Sequence, residues 1–325
     1  MVKVICIGSS SQDIFFPTKE GTKLETPDDL TSKKKLAFEL GSKYHINDRF
    51  ETLGGTAVNQ AAGLAKLGVA VACYTVLGND MTGQWIRERI EKTGINSSLI
   101  TFRDSLSGLS AIIVDEESGE RIIFSNQEAN EKMEIHPEKF SDAEWISVSD
   151  PSGNWQEVMD QVLEIVKQNN SKLAFNPRGK NIQENPQKVF ELAGKCEIFF
   201  VNKDEAIEII SALDKKENLD SEEYLLKELK NSGAKVVVIT DGERGAWADD
   251  GKGVQHVGAI KIKAVDSTGA GDAFASGFLA GHIKEKSIKE CLISGVVNGG
   301  KTAEHYGGHE GLLSESEMEE QIKNN

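Results

Sequence analysis

Short apolar runs alternate with amphipathic segments along most of the chain. The apolar runs predict strands at Val2–Gly8, Val69–Leu77, Trp145–Ser149, Lys172–Phe175, Ile198–Val201 and Lys235–Thr240. Helical periodicity between them predicts helices at Thr56–Leu67, Thr82–Lys92, Trp155–Gln168, Asp204–Leu213 and Ser221–Asn231, and three more helices follow Gly269. Because the runs show little polar alternation, the strands are expected to be buried on both faces. The pattern predicts an α/β fold with a central, mostly parallel sheet flanked by helices.

Two regions interrupt this alternation. Residues 14–51 are charged and weakly periodic, with a predicted strand pair at Leu36–Leu40 and Tyr44–Phe50. Residues 106–126 predict a hairpin that turns at Glu117–Gly119. We interpret both regions as one small β-sheet that forms a lid, and plain surface excursions are the alternative. The predicted domains are therefore a main α/β domain at 1–13, 52–105 and 127–325, and a β-sheet lid at 14–51 and 106–126.

Charge and cysteine content narrow the class of protein. The 325 residues include 37 Lys and Arg against 52 Asp and Glu, a net charge of −15, which argues against a nucleic-acid partner. The four cysteines are far apart and form no CxxC pair, as expected of buried thiols in a reducing compartment. No apolar run approaches the roughly 20 residues that a membrane helix needs, so we expect no membrane contact and a cytoplasmic location.

The most informative segment is Val265–Gly281. Gly269, Ala270 and Gly271 stand in front of Asp272, and a helix of small and apolar residues follows. A glycine-rich turn at a helix N-terminus directs free backbone N–H groups to one point, which suits a phosphate. A carboxylate beside such a cradle can accept the proton of a hydroxyl that approaches a phosphoryl group. This arrangement indicates a kinase, with Asp272 as the base.

Two further segments could bind an acceptor. Gly54 and Gly55 open an alanine-rich helix and permit close backbone approach to a ligand, and Asn59 in its first turns could hydrogen-bond a hydroxyl. Tight packing of helix on sheet explains the same residues equally well. Asp13 follows the first strand, at the strand end where open α/β sheets bind ligands, and could accept two sugar hydroxyls. A solvated loop aspartate is the alternative.

Two strand ends could bind a nucleotide. Asn202 and Glu205 lie where a buried strand meets a helix, so Glu205 could help to organise Mg²⁺ while Asn202 reaches a phosphate. The same spacing fits a helix capping box. Thr240, Gly242 and Gly245 follow the most apolar strand and could bring backbone against a nucleotide, or could simply shape a turn.

Other chemistries lack support. Gly295–Thr302 matches the P-loop pattern GxxxxGK[ST], but the residues before it predict a helix where a P-loop needs a strand. His305 and His309 are separated by two glycines and do not form a zinc motif. No nucleophile elbow and no GxGxxG after the first strand are present, so acyl transfer and dinucleotide-dependent oxidoreduction are not favoured.

Four segments resemble the ribokinase-like (PfkB) family of carbohydrate and nucleoside kinases. VDSTGAGDAF is similar to its C-terminal signature and GGTAVNQAAGLAKLG to its N-terminal one, while NKDEA and TDGERGA resemble its NxxE and TxGxxG elements. Their order and spacing agree with the family over nearly the whole chain. The resemblance implies a ribokinase-like fold with a β-sheet lid that often forms the dimer contact, and ATP-dependent phosphorylation of a hydroxyl, usually a primary one.

The resemblance also implies roles for individual residues. Asp272 would be the base, and the N–H groups of Gly269, Ala270, Gly271 and Asp272 would form the anion hole. The acceptor would bind at Ser11, Asp13, Gly54, Gly55, Asn59 and Asp150, and the nucleotide with its Mg²⁺ at Asn202, Glu205, Thr240, Gly242 and Gly245. Asp266 and Thr268 match positions where many relatives hold a monovalent cation such as K⁺, with further carbonyls expected near Thr302 to Gly307.

The sequence does not decide whether the acceptor is a free sugar or a nucleoside. Thr56 and Ser11 differ from the lysine and asparagine usual in ribose kinases, and NPRG after the strand ending at Phe175 is closer to nucleoside-kinase-like members. We predict a kinase for a free sugar, with a nucleoside kinase as the alternative and a non-catalytic sugar-sensing protein as a remote one.

Overall fold

The fold is described from a computed structural model, which covers residues 3–25, 34–118, 120–141, 143–215 and 217–324. The strands are β1 Val4–Gly8, β2 Ser11–Thr18, β3 Thr22–Glu25, β4 Lys34–Ala37, β5 Phe50–Gly54, β6 Val71–Tyr74, β7 Val76–Gly78, β8 Thr101–Arg103, β9 Leu109–Asp115, β10 Arg121–Asn126, β11 Trp145–Ser149, β12 Lys172–Asn176, β13 Ile198–Asn202, β14 Val236–Thr240, β15 Ala246–Asp249 and β16 Val254–Val257. The helices are α1 Thr56–Lys66, α2 Met81–Lys92, α3 Glu128–Glu131, α4 Trp155–Asn169, α5 Gly179–Glu184, α6 Pro186–Ala193, α7 Lys203–Ala212, α8 Glu222–Lys230, α9 Ala270–Ile283, α10 Ile288–Thr302 and α11 Glu315–Asn324.

The large sheet has eight strands in the order β16-β15-β14-β13-β12-β11-β1-β6. The six strands from β14 to β6 are parallel, whereas β15 and β16 pair antiparallel at one edge. Helices cover both faces over two apolar cores. The carboxyl ends of the parallel strands all meet at one edge of the sheet, where Asp150, Asn176, Asn202 and Thr240 lie. This confirms the predicted α/β fold and brings the candidate residues to one side.

Helix α9 is the buried helix that carries Asp272. It packs against α10 through glycines, because a β-carbon at Gly277 would lie 2.5 Å from the Ser294 carbonyl oxygen. Nearly every residue of α9 after its first turn is apolar and buried. Such a helix is fixed on all sides, so its N-terminus is held rigidly at the edge of the sheet.

A second sheet has four strands in the order β10-β9-β2-β5. Strand β2 begins at Ser11, directly after β1 ends at Gly8, and β5 ends at Gly54, so these strands run past the predicted boundaries at 13/14 and 51/52. The predicted hairpin forms β9 and β10, although its turn residue Gly119 lies outside the described residues. This small separate sheet, which we call the lid sheet, stands beside the strand ends that carry the candidate site.

Several local predictions need correction. The strand pair predicted at Leu36–Leu40 and Tyr44–Phe50 is wrong: β4 pairs with β3 in a separate ribbon, and β5 pairs with β2. Residues 26–33 of this predicted lid region lie outside the described residues. Gly295–Thr302 lies inside α10, which confirms that it is not a P-loop. Within the described ranges, no helix is both long and apolar enough to span a membrane.

Candidate active site

Asp272 lies in the first turn of α9, behind the turn formed by Gly269, Ala270 and Gly271. Gly269 is the helix N-cap with φ +76°, a left-handed conformation that favours glycine. The side chain of Asp272 is buried, and burial raises its pKa to about 7, against the opposing effects of the Asn59 hydrogen bond and the charge of Arg178. A carboxylate that titrates near neutrality can accept a proton at physiological pH. The residues predicted as base and anion hole therefore form one compact unit.

Asn59 connects Asp272 to a histidine that sequence reasoning did not assign to the site. The Asn59 amide nitrogen Nδ2 donates to Asp272 Oδ2 at 2.9 Å, and His309 Nε2 lies 2.9 Å from Asn59 Oδ1. Because an amide oxygen only accepts, Nε2 carries the proton. Burial lowers the pKa of His309 to about 4, so the ring is neutral at pH 7. The predicted hydroxyl ligand Asn59 thus already uses one N–H on Asp272 and one oxygen lone pair on His309.

The predicted acceptor residues Asp13, Ser11 and Gly54 meet where β2 pairs with β5. Ser11 Oγ donates to Asp13 Oδ1 at 2.7 Å, and Ser11 lies opposite Gly54 in the sheet register. A β-carbon at Gly54 would overlap Asp13 Oδ2, so only glycine leaves room for this carboxylate. Burial raises the pKa of Asp13, which Ser11 and Ser110 counteract by hydrogen bonding. Gly55 caps α1 with φ +95° and packs against the backbone of Ser9 and Ser10.

A cleft with a volume of about 190 Å³ lies beside the N-terminal part of α9, where Gly271, Phe274 and Ala275 line it. Residues from four strand ends and from α9 line it, including Asp150, Arg178, Asn202, Glu205, Thr240 and Gly271. Asn202 and Glu205 form the capping box of α7, with hydrogen bonds of 2.8 and 2.9 Å between side chain and backbone. The capping box and the predicted nucleotide site are compatible, because both residues line the cleft and the cap fixes the direction of their side chains.

Arg178 is the positive charge of this cleft, and sequence reasoning did not assign it a role. It forms an ion pair with Asp150, and burial raises the pKa of Asp150 to about 6 and that of Glu205 to about 7, with Arg178 opposing both shifts. The available signal was its place in NPRG, directly after β12 at the ligand-binding edge. Asp150, predicted as an acceptor ligand, thus pairs with Arg178 in the lining of the cleft.

The two glycines predicted for the nucleotide lie beyond the cleft. Gly245 has φ +90°, and a β-carbon there would overlap the Val257 carbonyl oxygen, so it shapes the approach of β15 to β16. Gly242 has φ +44° and no neighbour within 4 Å of its side-chain position. Of the five predicted nucleotide residues, Asn202, Glu205 and Thr240 line the cleft itself.

The predicted cation residues form a tight loop before the anion hole. The Thr268 backbone N–H and hydroxyl donate to Asp266 Oδ1 at 3.0 and 2.7 Å, and the Gly307 N–H donates to Oδ2 at 3.0 Å. No group of three or more His, Cys, Asp or Glu side chains suited to a metal is found among the described residues.

The pKa of Asp272 predicts the pH dependence of the reaction. Only the ionised carboxylate can accept a proton, so kcat/KM should fall about tenfold per unit as the pH drops below about 7. Asn59→Leu removes a hydrogen bond that favours the ionised form, so it should move this midpoint upward. Profiles of kcat/KM between pH 5 and pH 9 measure both midpoints.

Gln60→Met is the matched control for this prediction. Gln60 lies on the same helix and is buried, but its amide oxygen accepts from Ser147 and its side chain makes no bond to Asp272. The control should keep the wild-type midpoint. A profile with no inflection between pH 6 and pH 8 in the wild type would contradict the assignment.

Comparisons with known proteins identify the family and the fold of the chain. Residues 29–314 match the family model described as pfkB family carbohydrate kinase. An uncharacterized sugar kinase of Archaeoglobus fulgidus is 28% identical over 77% of this chain and 98% of its own. A cytidine kinase of Thermococcus kodakarensis is 29% identical over 78% of this chain and 88% of its own. Among solved structures, a Burkholderia thailandensis nucleoside kinase in complex with inosine superposes with a TM-score of 0.80 at 18% identity, covering 99% of this chain and 98% of that one.

The family match covers most of the chain, and the structural neighbours share its ribokinase-like fold. The relatives are named as kinases for sugars or nucleosides. The chain belongs to the pfkB family of carbohydrate kinases and is an ATP-dependent phosphotransferase with a ribokinase-like α/β fold.

Proposed function

We propose that this protein transfers the γ-phosphoryl group of ATP to a primary hydroxyl of a free sugar. The observation that carries the proposal is the position of Asp272. Its buried carboxylate lies at the N-terminus of α9, where it accepts a hydrogen bond from Asn59, and its neighbour Gly271 lines the cleft together with Asn202, Glu205 and Thr240. A base is useful at such a point only if a hydroxyl must lose a proton beside an anion.

The proposed reaction proceeds in line. The acceptor oxygen forms a bond to the γ-phosphorus, the bond from that phosphorus to the β–γ bridging oxygen breaks, and ADP leaves. Asp272 takes the hydroxyl proton, and the backbone N–H groups from Gly269 to Asp272 donate to the equatorial phosphoryl oxygens. Arg178 stabilises negative charge from the cleft side. Mg²⁺ bound to the nucleotide would neutralise phosphate charge, and Glu205 would hold it through water.

Asp13 is expected to control acceptor binding. Asp13 Oδ1 accepts from Ser11, and Oδ2 lies beside Gly54, where a sugar hydroxyl could donate to it. Asp13→Asn should raise KM for the acceptor by about tenfold or more and change KM for ATP little, because one charged acceptor becomes a donor. Steady-state kinetics with each substrate varied in turn measure the split.

Gln12→Ala is the control for Asp13→Asn. Gln12 is the neighbouring residue on β2, but its side chain bonds to exposed Glu51 on the opposite face. The control should leave both KM values unchanged. Equal acceptor KM values for Asp13→Asn and wild type would place the acceptor elsewhere.

A nucleoside is the second candidate acceptor. The cytidine kinase similarity and the fold shared with an inosine complex favour it, and a ribosyl group presents the same primary and vicinal hydroxyls as a pentose. A coupled assay of ADP release with Mg²⁺, across ribose, fructose, ketodeoxygluconate, adenosine, cytidine and inosine, decides between them. A nucleoside with the highest kcat/KM would replace the free sugar, and no ADP release above background with any of them would count against both.

The lid sheet has a proposed role in closing over the acceptor. Its strand β2 carries Ser11 and Asp13 and continues from β1 of the main sheet, so movement of the sheet changes the acceptor site directly. Such closure excludes water from the transferred phosphoryl group. Edge strand β10 exposes Ile123 and Phe124, at 47% and 65%. A homodimer formed through this sheet stays a prediction.

A further inference from the structure

Asp266 is a buried carboxylate immediately before the anion hole. Its side chain is 1% exposed, and it receives backbone and hydroxyl hydrogen bonds from Thr268 and a backbone hydrogen bond from Gly307. A charge buried to this degree needs a positive partner. Through these bonds it fixes both the loop that leads to Gly269 and the segment around Gly307. Whatever neutralises Asp266 therefore also holds the anion hole.

The positive partner is Arg121, which comes from strand β10 of the lid sheet. Arg121 Nε lies 3.7 Å from Asp266 Oδ1, and Arg121 Nη1 donates to Ser267 Oγ at 2.6 Å. The Nε atom is buried and makes no hydrogen bond at this distance. A small approach of the lid sheet would turn the ion pair into a direct hydrogen bond. The guanidinium thus faces Asp266 while one of its N–H groups, at Nε, still lacks a hydrogen-bond acceptor.

A second contact joins the lid sheet to the same place. The ring of Tyr306 stacks on Phe50 of β5 at 4.9 Å between centroids and packs against Phe15 of β2 at 5.5 Å. The next residue, Gly307, donates to Asp266. Two strands of the lid sheet thus contact the 306–307 segment while a third, through Arg121, contacts Asp266. The position of the lid and the shape of the loop are mechanically linked.

The residues present do not fit a monovalent cation at Asp266. A K⁺ ion there would lie against the positively charged guanidinium of Arg121, and like charges repel. The nearby Ala303 carbonyl already accepts from the N–H groups of Val265 and Asp266, at 2.8 and 3.3 Å. At the position where the family resemblance implies a cation, this chain has the positive charge of Arg121 instead.

We propose that Arg121 of the lid sheet takes the place of a monovalent cation at Asp266, so that the anion hole is held by a charge that moves with the lid. Two consequences follow. First, the enzyme does not need K⁺ for activity. Second, closure of the lid sheet brings Arg121 against Asp266, so the same movement that covers the acceptor also stabilises the anion hole. This inference rests on the proposed kinase function for its activity readout, and on folding stability for a readout that needs no substrate.

The experiment compares full-length wild type, Arg121→Gln and Arg121→Lys in KCl and in tetramethylammonium chloride at equal ionic strength. Wild-type kcat should differ by less than about twofold between the salts, because a covalently supplied charge needs no ion. Arg121→Gln leaves the buried Asp266 carboxylate without a positive partner, so the kcat of this variant in tetramethylammonium should fall about tenfold or more and recover in part with K⁺. Arg121→Lys keeps the charge and should stay independent of K⁺.

Melting temperature by circular dichroism gives the second readout. K⁺ should not change the wild-type Tm but should raise that of Arg121→Gln, since an ion that binds only the folded state stabilises it. Lys23→Gln is the control: Lys23 is an exposed lysine of the lid region that pairs with Asp115 and Glu117 at 2.9 and 2.6 Å, so its loss should change neither readout.

The outcomes separate this inference from the proposed function. A wild-type kcat or Tm that rises clearly with K⁺ would overturn the inference, as would Arg121→Gln matching wild type in both salts. If no acceptor is phosphorylated, the proposed function fails, yet the effect of K⁺ on the Tm of Arg121→Gln still tests the role of Arg121.

Discussion

Asp272→Asn is expected to lower kcat by about 10²–10⁴-fold, the usual contribution of a general base. An asparagine keeps the shape and the contact with Asn59, but it cannot accept the hydroxyl proton. ADP binding should persist because the cleft residues Asn202, Glu205 and Thr240 are untouched. Steady-state kinetics and calorimetric titration with MgADP measure the two effects. Near-normal turnover in this variant would remove Asp272 from the mechanism.

The same variant has a predicted effect on stability, which shows that a loss of activity is not a loss of fold. The folded-state pKa of Asp272 is about 7, above the ordinary value of 3.8. Between these pH values the folded protein keeps a proton that the unfolded chain has released, so the free energy of unfolding falls as pH rises toward 7. Asp272→Asn removes this cost and should be more stable than wild type above pH 7, by on the order of a few kcal/mol.

Chemical denaturation at pH 5 and pH 8 tests the sign of that difference. The advantage of the variant should be larger at pH 8 than at pH 5. Asp160→Asn is the control. Asp160 is an exposed residue of α4 that pairs with Lys188, so this substitution should change neither activity nor stability. If Asp272→Asn is less stable than wild type at pH 8, the surrounding protein stabilises the ionised Asp272 carboxylate more than we infer.

Gly269→Ala is expected to reduce kcat by about 10²-fold or more, the cost of losing one donor of an anion hole. A methyl group at this position would lie 2.5 Å from Gly308 Cα and 3.3 Å from Asn59 Nδ2, and φ +76° is itself unfavourable for alanine. The turn must therefore shift, which moves the N–H groups away from the phosphoryl position. We expect a lower melting temperature as well.

Two variants separate crowding from backbone strain. Gly94→Ala has a similar φ, +81°, with no neighbour within 4 Å, so it should lose some stability and keep full activity. Gly271→Ala also has open space and no unusual φ, so it should keep the wild-type melting temperature. If Gly269→Ala behaves like Gly94→Ala in kinetics, the turn is not the anion hole.

The strands of the large sheet could be predicted from the sequence because each strand is indicated by a short run of neighbouring apolar residues. Uninterrupted apolar runs such as Val236–Ile239 indicate strands buried on both faces, and six neighbouring strands are indeed parallel. The carboxyl ends of parallel strands share one edge, so Asn202 and Thr240 could be placed near each other before any coordinates were known. Asn202 and Thr240 are register partners in adjacent strands.

Contacts between distant segments could not be predicted in this way. His309 lies 250 residues from Asn59, and Arg121 lies 146 residues from Ser267, and neither carries a local pattern that names its partner. The strand pair around Leu36–Leu40 failed because weak period-2 alternation does not specify which strand is the partner. Pairing across the chain depends on packing of the whole fold, which a single sequence does not display.

The chain of hydrogen bonds from His309 through Asn59 to Asp272 has a consequence for biosynthesis. Its members are separated by 213 and 250 residues, so helix α1 leaves the ribosome long before either partner exists. Closing such long loops is slow. The hydrogen-bond chain can therefore form only once residue 309 has been synthesised, however early helix α1 folds.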